Sequence, residues 1–596
     1  MKQIESILSQ RISAILEELK IPLKKDVLFA VPTDSTYGDL SCNIAMQLFP
    51  TLESSPFSSP EELALKIVSM IQENLPVEIR AVSVAKPGFI NFVLSDTILA
   101  DQVLLLATKL PVPSQSQKGH VVVEFSSPNI AKPFTVGHLR STIIGNAIAN
   151  LYETMGWKVY KDNHVGDWGT QFGKLIVAIQ KWGNLEEIAA EERPVKRLVE
   201  LYVKFHDEAK LDPSLDDQAR EWFTKLEKGD PTARSIWQRC IDLSFKEFHL
   251  IYSKLDISFT ENAGKGYGES FFEDKMAEVV SILQASGYLQ EGKEGAKLFF
   301  FPDEEYPPLM ILKKDGSTLY STRDLATDYF RLQQYGKDIR VVNEVGAEQS
   351  LYFSQLFRIE ELLGWYPKGQ RIHVKHGLFR LKDQKMSTRS GNVIWLEDVL
   401  EEAVLRATKL AVASQSRPIG VTSDSPIADN PAEPIVVSQD DRTTAAIAIG
   451  AIKWNDLKRA SHMEVVFDWD ELLAMQGNSG PYMQYTVVRA KSVLSKVATS
   501  PEVKNVGWVL NPHERLVAYQ LSRFMDVVEQ ATYSHAPHLL TTYLYSLAQL
   551  YNSFYTTYKI IGSGEEETKR VALTQAASRV IEKGCAILGI QIPSTM

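Results

Sequence analysis

A buried strand, a polar loop and an amphipathic helix follow one another between residues 121 and 155, and this succession commits the chain to a parallel sheet. The run VVVEF (121–125) is short, continuous and apolar, as a strand covered on both faces must be. The loop SSPNIAKPFTVG comes next. A helix then runs from about His138 to Met155, with Leu139, Ile143, Ile144, Ala147, Ile148, Leu151, Tyr152 and Met155 on one face. Gly156 ends it, and WKVYKDNHV reads as the next strand. The unit is β-α-β, the opening of a doubly wound α/β sheet of Rossmann-like type.

At 596 residues the chain exceeds one core, and roughly three or four domains are expected. Residues 1–110 read as a small α/β unit: a helical start, a loop around Ser35, Gly38 and Asp39 leading to a helix cap, a helix near 60–75, and the strands EIRAVSVA and GFINFVLS. PVPSQSQKGH (111–120) is a linker by composition. The α/β unit extends over 111–400, with a charged helical insertion at about 176–265. Sheet resumes at AKLFFFP, Asp315-Gly316 reads as a hairpin turn between apolar runs, and RVVNEVG and RIHVKHGLF are further strands. Residues 401–440 hold a helix and a Pro-, Ser- and Asp-rich insert (413–440) read as a flexible loop. Residues 441–596 read as all-α.

Composition narrows the function. No apolar run approaches a membrane span, and the N-terminal stretch lacks the apolar core and cleavage site of a signal peptide. Cys42, Cys240 and Cys585 lie far apart, without zinc-ligand spacing, so no structural metal is expected and a reducing cytoplasm is. The net charge of -10 gives no global pull on nucleic acid. It is uneven, however: residues 441–596 carry +1 and the remainder -11.

Three groups of residues carry chemistry. Lys132, Thr135, Gly137 and His138 stand at a helix N-terminus beyond a parallel strand, where free N–H groups and the helix dipole favour phosphate, the plainer alternative being a capping loop with a satisfied histidine. The spacing is not GxGxxG, which excludes a dinucleotide dehydrogenase. The loop KDQKMSTRSGN (382–392) sets Lys382, Lys385 and Arg389 around Ser387 and Thr388, a composition suited to closing over a polyphosphate. Glu124 at the end of the first strand and Asp324 in YSTRD are paired acids, which suit a guanidinium. The plainer alternative for Asp324 is a cap on a helix beginning near Leu325.

Together these segments resemble the arginyl-tRNA synthetases, a branch of the class I aminoacyl-tRNA synthetases. TVGH occupies the place of the HIGH motif and KMSTR that of KMSKS. GAEQSLYFSQLF, FDWDELLAMQGNSGPYMQYTVVRAK and GCAILGIQIPSTM are similar to that family, as are YGDLSCNIAMQ and KPGFINFVLS in the front segment. The resemblance implies a Rossmann-like catalytic domain, an N-terminal tRNA-contacting domain and a C-terminal DALR-type anticodon-binding domain. It implies ligation of L-arginine to tRNA(Arg) through arginyl adenylate, using ATP with Mg2+, by a monomer. Glu124, Tyr320 and Asp324 are then expected around the arginine side chain, and Asn129, His138 and Gln349 at its amino and carboxylate end. Lys132, Thr135, Gly137, His138, Lys385, Met386 and Ser387 are expected to face ATP. Of these, Lys132, Thr135, His138, Lys385 and Ser387 are the catalytic candidates. Tyr482, Gln484, Tyr485 and Arg489 are expected to touch tRNA.

Two positions depart from the family pattern. Thr135 replaces the first histidine of HIGH, and Thr388 replaces the second lysine of KMSKS, for which Lys132 is the expected substitute. Two other readings stay open on sequence: a related class I enzyme for another amino acid, and an RNA-binding paralogue without catalysis.

Overall fold

The computed structural model describes residues 1–23, 26–32, 34–52, 56–110, 118–292, 295–381, 394–415, 441–497 and 507–596. The front unit comprises α1 (Lys2–Glu18), β1 (Phe29–Ala30), β2 (Leu40–Cys42), α2 (Ile44–Leu48), α3 (Pro60–Glu73), β3 (Ile79–Ala85), β4 (Phe89–Leu94) and α4 (Asp96–Thr108). Its strands pair antiparallel in the order β1-β2-β4-β3. Ile4, Leu8, Ile12, Ile15 and Leu16 give α1 one buried stripe. Asp39 differs from expectation. It leads to no side-chain helix cap, since Asn43 holds the N-cap position of α2 without a capping bond. Its carboxylate instead accepts from the Leu94 N–H and pairs with Arg515, far along the chain. Arg515 also holds Asp96 at 2.9 Å, so one guanidinium fastens the front unit to the C-terminal helices.

The central unit opens with β5 (His120–Glu124), α5 (Val136–Thr154) and β6 (Lys158–Asp162). A helical layer comes next: α6 (Gln171–Trp182), α7 (Leu185–Ala190), α8 (Pro194–Leu211), α9 (Ser214–Glu227), α10 (Pro231–Lys254) and α11 (Met276–Ala285). After it β7 (Leu289–Glu291), β8 (Lys297–Phe299) and β9 (Leu309–Leu312) form a separate antiparallel sheet rather than rejoining the parallel one. The Asp315-Gly316 hairpin-type turn forms, with Leu312 and Thr318 bridged antiparallel, and the chain then enters a helix, α12 (Tyr320–Tyr335), before the second arm can lengthen. The reason lies in two hydroxyls. Ser321 donates to the Met310 carbonyl and Thr322 to the Ile311 carbonyl, which docks the first turn of the helix on β9. The unit ends with β10 (Arg340–Gly346), α13 (Ser350–Leu362), β11 (Arg371–His376), β12 (Phe379–Leu381) and α14 (Leu396–Gln415).

The parallel sheet runs β11-β10-β5-β6. From β5 the chain first moves to one side, to β6, and later returns to the other, to β10 and β11. The order therefore reverses at β5 and β10, and a crevice opens beyond their carboxyl ends.

The C-terminal unit is α15 (Asp441–Leu457), β13 (Val465–Phe467), α16 (Trp469–Leu472), α17 (Gly480–Leu494), α18 (Pro512–Ser522), α19 (Phe524–Tyr533), α20 (Pro537–Thr557) and α21 (Glu567–Ile587). Its short strand β13 pairs with β12. Arg140 on α5 is fully buried and joins the two units. Its Nε donates to Asp456 on α15, and its other nitrogens donate to the carbonyls of Gly377, Ser461 and Met463. A buried guanidinium is tolerated only when its donors are met in this way.

Candidate active site

The loop between β5 and α5 is held in a strained shape. Ser126, Ser127 and Ala131 all have positive φ, at 75°, 42° and 53°. Non-glycine residues stay there only when their surroundings over-determine them, and such residues cluster at functional sites. Here the surroundings are specific. The Ser126 hydroxyl meets those of Thr142 and Tyr252, its N–H donates to Ser141, the Ser127 N–H donates to Asn163, and the Ala131 N–H donates to Ser244.

Beyond this loop lies a cavity of about 520 Å³ at the reversal of strand order. Glu124, Asn129, Tyr320, Asp324 and Gln349 all line it. Tyr320 and Asp324 stand one turn apart on α12. Asn129 fits because Gly166 lacks a Cβ, which would come within 2.4 Å of the Asn129 side-chain oxygen. Asp324 is not a helix cap, since it sits inside α12. One carboxylate oxygen accepts from the Tyr352 hydroxyl at 2.5 Å, and the other lies 3.8 Å from His164 Nε2. Burial raises the Asp324 pKa above the usual carboxylate value, and His164 and Tyr352 offset part of that rise.

Glu124 departs from the expected arrangement. Its counter-cation is internal: Arg331 of α12 pairs with it and with Asp162, at 2.7 Å. The Asn343 amide donates to its other oxygen. Burial alone would raise the Glu124 pKa, but Arg331 and His164 carry it below the ordinary value. Glu124 is thus an already neutralised acid in the cavity wall, whereas Asp324 faces the cavity without a guanidinium partner of its own. Arg331 also reaches Asp328, which Arg371 holds at 2.5 Å, so a buried ionic lattice underlies the pocket floor.

His138 does not line this cavity. Its Nδ1 accepts from the Thr135 N–H at 3.1 Å, and the Thr135 hydroxyl lies equally close to that nitrogen. Nδ1 is therefore the acceptor, and Nε2 bears the proton of the neutral ring. Burial pushes the His138 pKa down to about 4, so the ring offers a donor and no charge at neutral pH. His138, expected at the amino and carboxylate end of arginine, has its ring drawn onto Thr135 at the N-cap of α5. Gly137 is exposed in the first turn beside it. Lys132 is half-buried on the strained loop; burial lowers its pKa, and the charge of Glu269 counters part of the effect.

Lys385, Met386 and Ser387 lie outside the described residues, as does Thr388. Their flanks are placed. Leu396 N–H donates to the Phe134 carbonyl, Val136 N–H donates to the Ile394 carbonyl, and Thr135 bridges Trp395. The described chain thus stops at the end of β12 and resumes at Ile394 beside the TVGH turn.

Among the cavity residues that escaped the sequence reading are His164, Glu269 and Tyr352. A positional signal existed for His164, two residues past the carboxyl end of a parallel strand, and for Tyr352, one helical turn beyond Gln349. Glu269 stands between α10 and α11, where no pattern marks it. Its backbone is shaped by Asp167, which accepts from both the N–H and the hydroxyl of Ser270.

On the C-terminal unit, Tyr482, Tyr485 and Arg489 are half-buried on α17, with the Arg489 guanidinium 4.5 Å over the Tyr485 ring. Gln484 is a correction. It is fully buried, its amide donating to the carbonyls of Ala446 and Gln591, so it cannot reach RNA.

Known proteins resemble the chain along nearly all of its length. The family described as "tRNA synthetases class I (R), catalytic domain" matches residues 100–469. "DALR anticodon binding domain" matches 483–596, and "Arginyl tRNA synthetase N terminal domain" matches 2–94. The arginine–tRNA ligase of Streptococcus suis is 35% identical over 603 residues, covering 99% of this chain and 100% of the relative. That of Clostridioides difficile is 35% identical over 604 residues, covering 98% and 99%. Among solved structures, arginyl-tRNA synthetase from Plasmodium falciparum superposes with a TM-score of 0.81 at 23% identity, covering 100% of this chain and 99% of that one. The Thermus thermophilus enzyme gives 0.77 at 22%, covering 99% and 100%.

Proposed function

Because this chain belongs to the arginyl-tRNA synthetase family of class I synthetases, we propose that the cavity below Asp324 receives arginine and that the start of α5 faces ATP. The enzyme is an arginine–tRNA ligase, which activates arginine with ATP and passes it to tRNA. The α-carboxylate of arginine attacks the α-phosphate of ATP, pyrophosphate leaves, and the arginyl group moves from the adenylate to the terminal ribose of tRNA. Neither step needs protein acid–base chemistry so much as positioning and charge stabilisation.

The observation that carries the residue assignment is the shared wall of Asp324, Tyr320, Glu124, Asn129 and Gln349. Asp324 binds the guanidinium, with the Tyr320 ring alongside and the Tyr352 hydroxyl steadying the carboxylate. Glu124 contributes an acceptor whose charge Arg331 already balances. Asn129 and Gln349, farther along the strand ends, hold the amino and carboxylate groups. The Nε2–H of His138 and the ammonium of Lys132 face the phosphates, and Lys385 and Ser387 close over them. Thr135 acts through His138, fixing its tautomer, more than by touching ATP. Mg2+ enters with the nucleotide. Among the described residues no group of three or more His, Cys, Asp and Glu side chains could hold a metal, and Mg2+ on ATP is met largely by phosphate and water oxygens. Tyr482, Tyr485 and Arg489 meet the anticodon.

We propose an N-terminal domain over 1–110, a catalytic domain over 111–400, a helix and insert over 401–440 and an all-α domain over 441–596, with a monomeric state and a cytoplasmic location. No helix among the described residues is long and apolar enough to cross a membrane, and all three thiols are free and buried.

The test is charging. Purified protein with ATP, Mg2+ and tRNA(Arg) is expected to esterify L-arginine and to reject neutral citrulline by about 10⁴-fold or more in kcat/KM, since citrulline brings no cation and no full set of donors to the Asp324 carboxylate. Comparable use of the two amino acids would defeat the assignment.

A further inference from the structure

His164 is the least settled ionisable group in the cavity wall. Its Nδ1 lies 3.0 Å from the carbonyl oxygen of Tyr267. A carbonyl only accepts, so Nδ1 carries a proton. Its Nε2 is buried, makes no hydrogen bond, and lies 3.8 Å from an Asp324 carboxylate oxygen. A neutral ring would then aim a lone pair at an anion. Only an imidazolium gives Asp324 an attractive neighbour there.

The surrounding charges agree from every side. Glu124 stands at the end of β5, Asp324 on α12, Glu269 on the turn before α11, and Asp167 just beyond β6; Arg331 is the opposing cation. Arg331 is already divided among Glu124, Asp162 and Asp328. Glu269 has Arg323, at 3.7 Å, which it shares with Glu273. Asp324 has neither. Burial alone would lower the His164 pKa, yet Glu124, Asp324 and Glu269 carry it above its ordinary value.

We propose that His164 is the removable counter-cation of the empty arginine site, and that entry of the arginine guanidinium expels its proton. This rests on the reading of the cavity as the arginine site. The guanidinium is permanently charged, so it replaces the imidazolium beside Asp324. The Nε2–H bond breaks, its electron pair stays on Nε2, and the proton passes to water. The neutral Nε2 then becomes an acceptor facing the substrate's N–H donors, while Nδ1–H keeps its bond to Tyr267. His164 thereby links arginine affinity to pH. As pH falls through its raised pKa, the proton competes with arginine and KM rises, while kcat at saturating arginine stays unchanged.

The test is calorimetry of L-arginine binding to the whole enzyme in buffers of different ionisation heat, which counts protons. Because the His164 pKa is raised, more than about half a proton per arginine should leave at about pH 6.5, and fewer at about pH 8.5. His164→Asn keeps a donor for the Tyr267 carbonyl and leaves nothing ionisable toward Asp324. It should release far less at about pH 6.5, the remainder coming from Asp324 and Glu269. In ATP–pyrophosphate exchange with tRNA, its arginine KM should be nearly flat over this range where that of the wild type rises toward acid. If the wild type binds arginine and releases no more protons than His164→Asn, the proposal falls and the site assignment stands. If the wild type binds no arginine, both fall. Should the variant fold poorly, the wild-type proton count at the two pH values still decides: no release at about pH 6.5 overturns the proposal.

Discussion

Asp324→Asn is expected to raise the arginine KM about 10²–10³-fold, corresponding to roughly 3–4 kcal/mol. The substitution keeps the size of the side chain and its bond to the Tyr352 hydroxyl, but removes the cavity-facing charge that lacks a guanidinium partner. The arginine guanidinium would then be buried against an amide, and truncating one partner of a buried charge pair costs far more than losing a surface contact. The tRNA KM should stay within about twofold, because α17 and its neighbours are untouched. The matching change at Glu124 acts differently. Glu124→Gln leaves the buried Arg331 with one anion fewer, so it disturbs the fold of the floor as well as the ligand. ATP–pyrophosphate exchange in the presence of tRNA measures the Asp324 effect, and an arginine KM within about threefold of normal would rule out Asp324 as the guanidinium's partner.

Lys132→Ala should lower the rate of adenylate formation by about 10²–10³, the usual effect of losing one donor aimed at developing charge. Arginine affinity should change by less than about threefold, since Lys132 does not line the arginine cavity. The loop explains why a lysine here can work. Ala131, its neighbour, is held at positive φ by the bond from its N–H to Ser244, which fixes the direction in which residue 132 leaves the loop. The need for such a cation is also visible. His138 is neutral, with its pKa pushed down to about 4, and Thr135 carries no charge, so the TVGH turn supplies dipoles and donors alone. Single-turnover measurement of arginyl-adenylate formation separates this step from transfer. A near-normal rate in Lys132→Ala would defeat the role.

The parts of the molecule that were legible in the sequence are those governed by local pattern. The apolar run 121–125, the helical stripe after it and the strand beyond Gly156 need only neighbours within about 40 residues, and β5, α5 and β6 lie there. The motif residues Asn129, Tyr320, Asp324 and Gln349 were found through family resemblance, and the strand order brings them to one crevice. What sequence hid was long-range pairing. Glu124 read as a partner for a substrate guanidinium because Arg331, 207 residues away, sits in a helical stretch where arginine ordinarily faces water. Asp39 read as part of a capping loop because nothing near it announces Arg515. Gln484 read as an RNA contact because its burial depends on the Ala446 and Gln591 carbonyls, from opposite ends of the C-terminal unit. The hairpin-type turn at Asp315-Gly316 was legible because turn chemistry fixes the reversal, and Leu312 and Thr318 bridge antiparallel across it. Hydroxyl bonds from Ser321 and Thr322 to β9 decide that a helix, and not a strand, comes after it.

The central claim is that one acid, Asp324, meets the side chain of arginine in the crevice beyond β5 and β10. A crystal structure of the enzyme with bound L-arginine tests it most directly. The account predicts the guanidinium within about 3 Å of the Asp324 carboxylate, with the amino and carboxylate groups toward Asn129 and Gln349 and the ring of Tyr320 alongside. Arginine seated elsewhere, or lying in this cavity with its guanidinium turned away from Asp324, would contradict it.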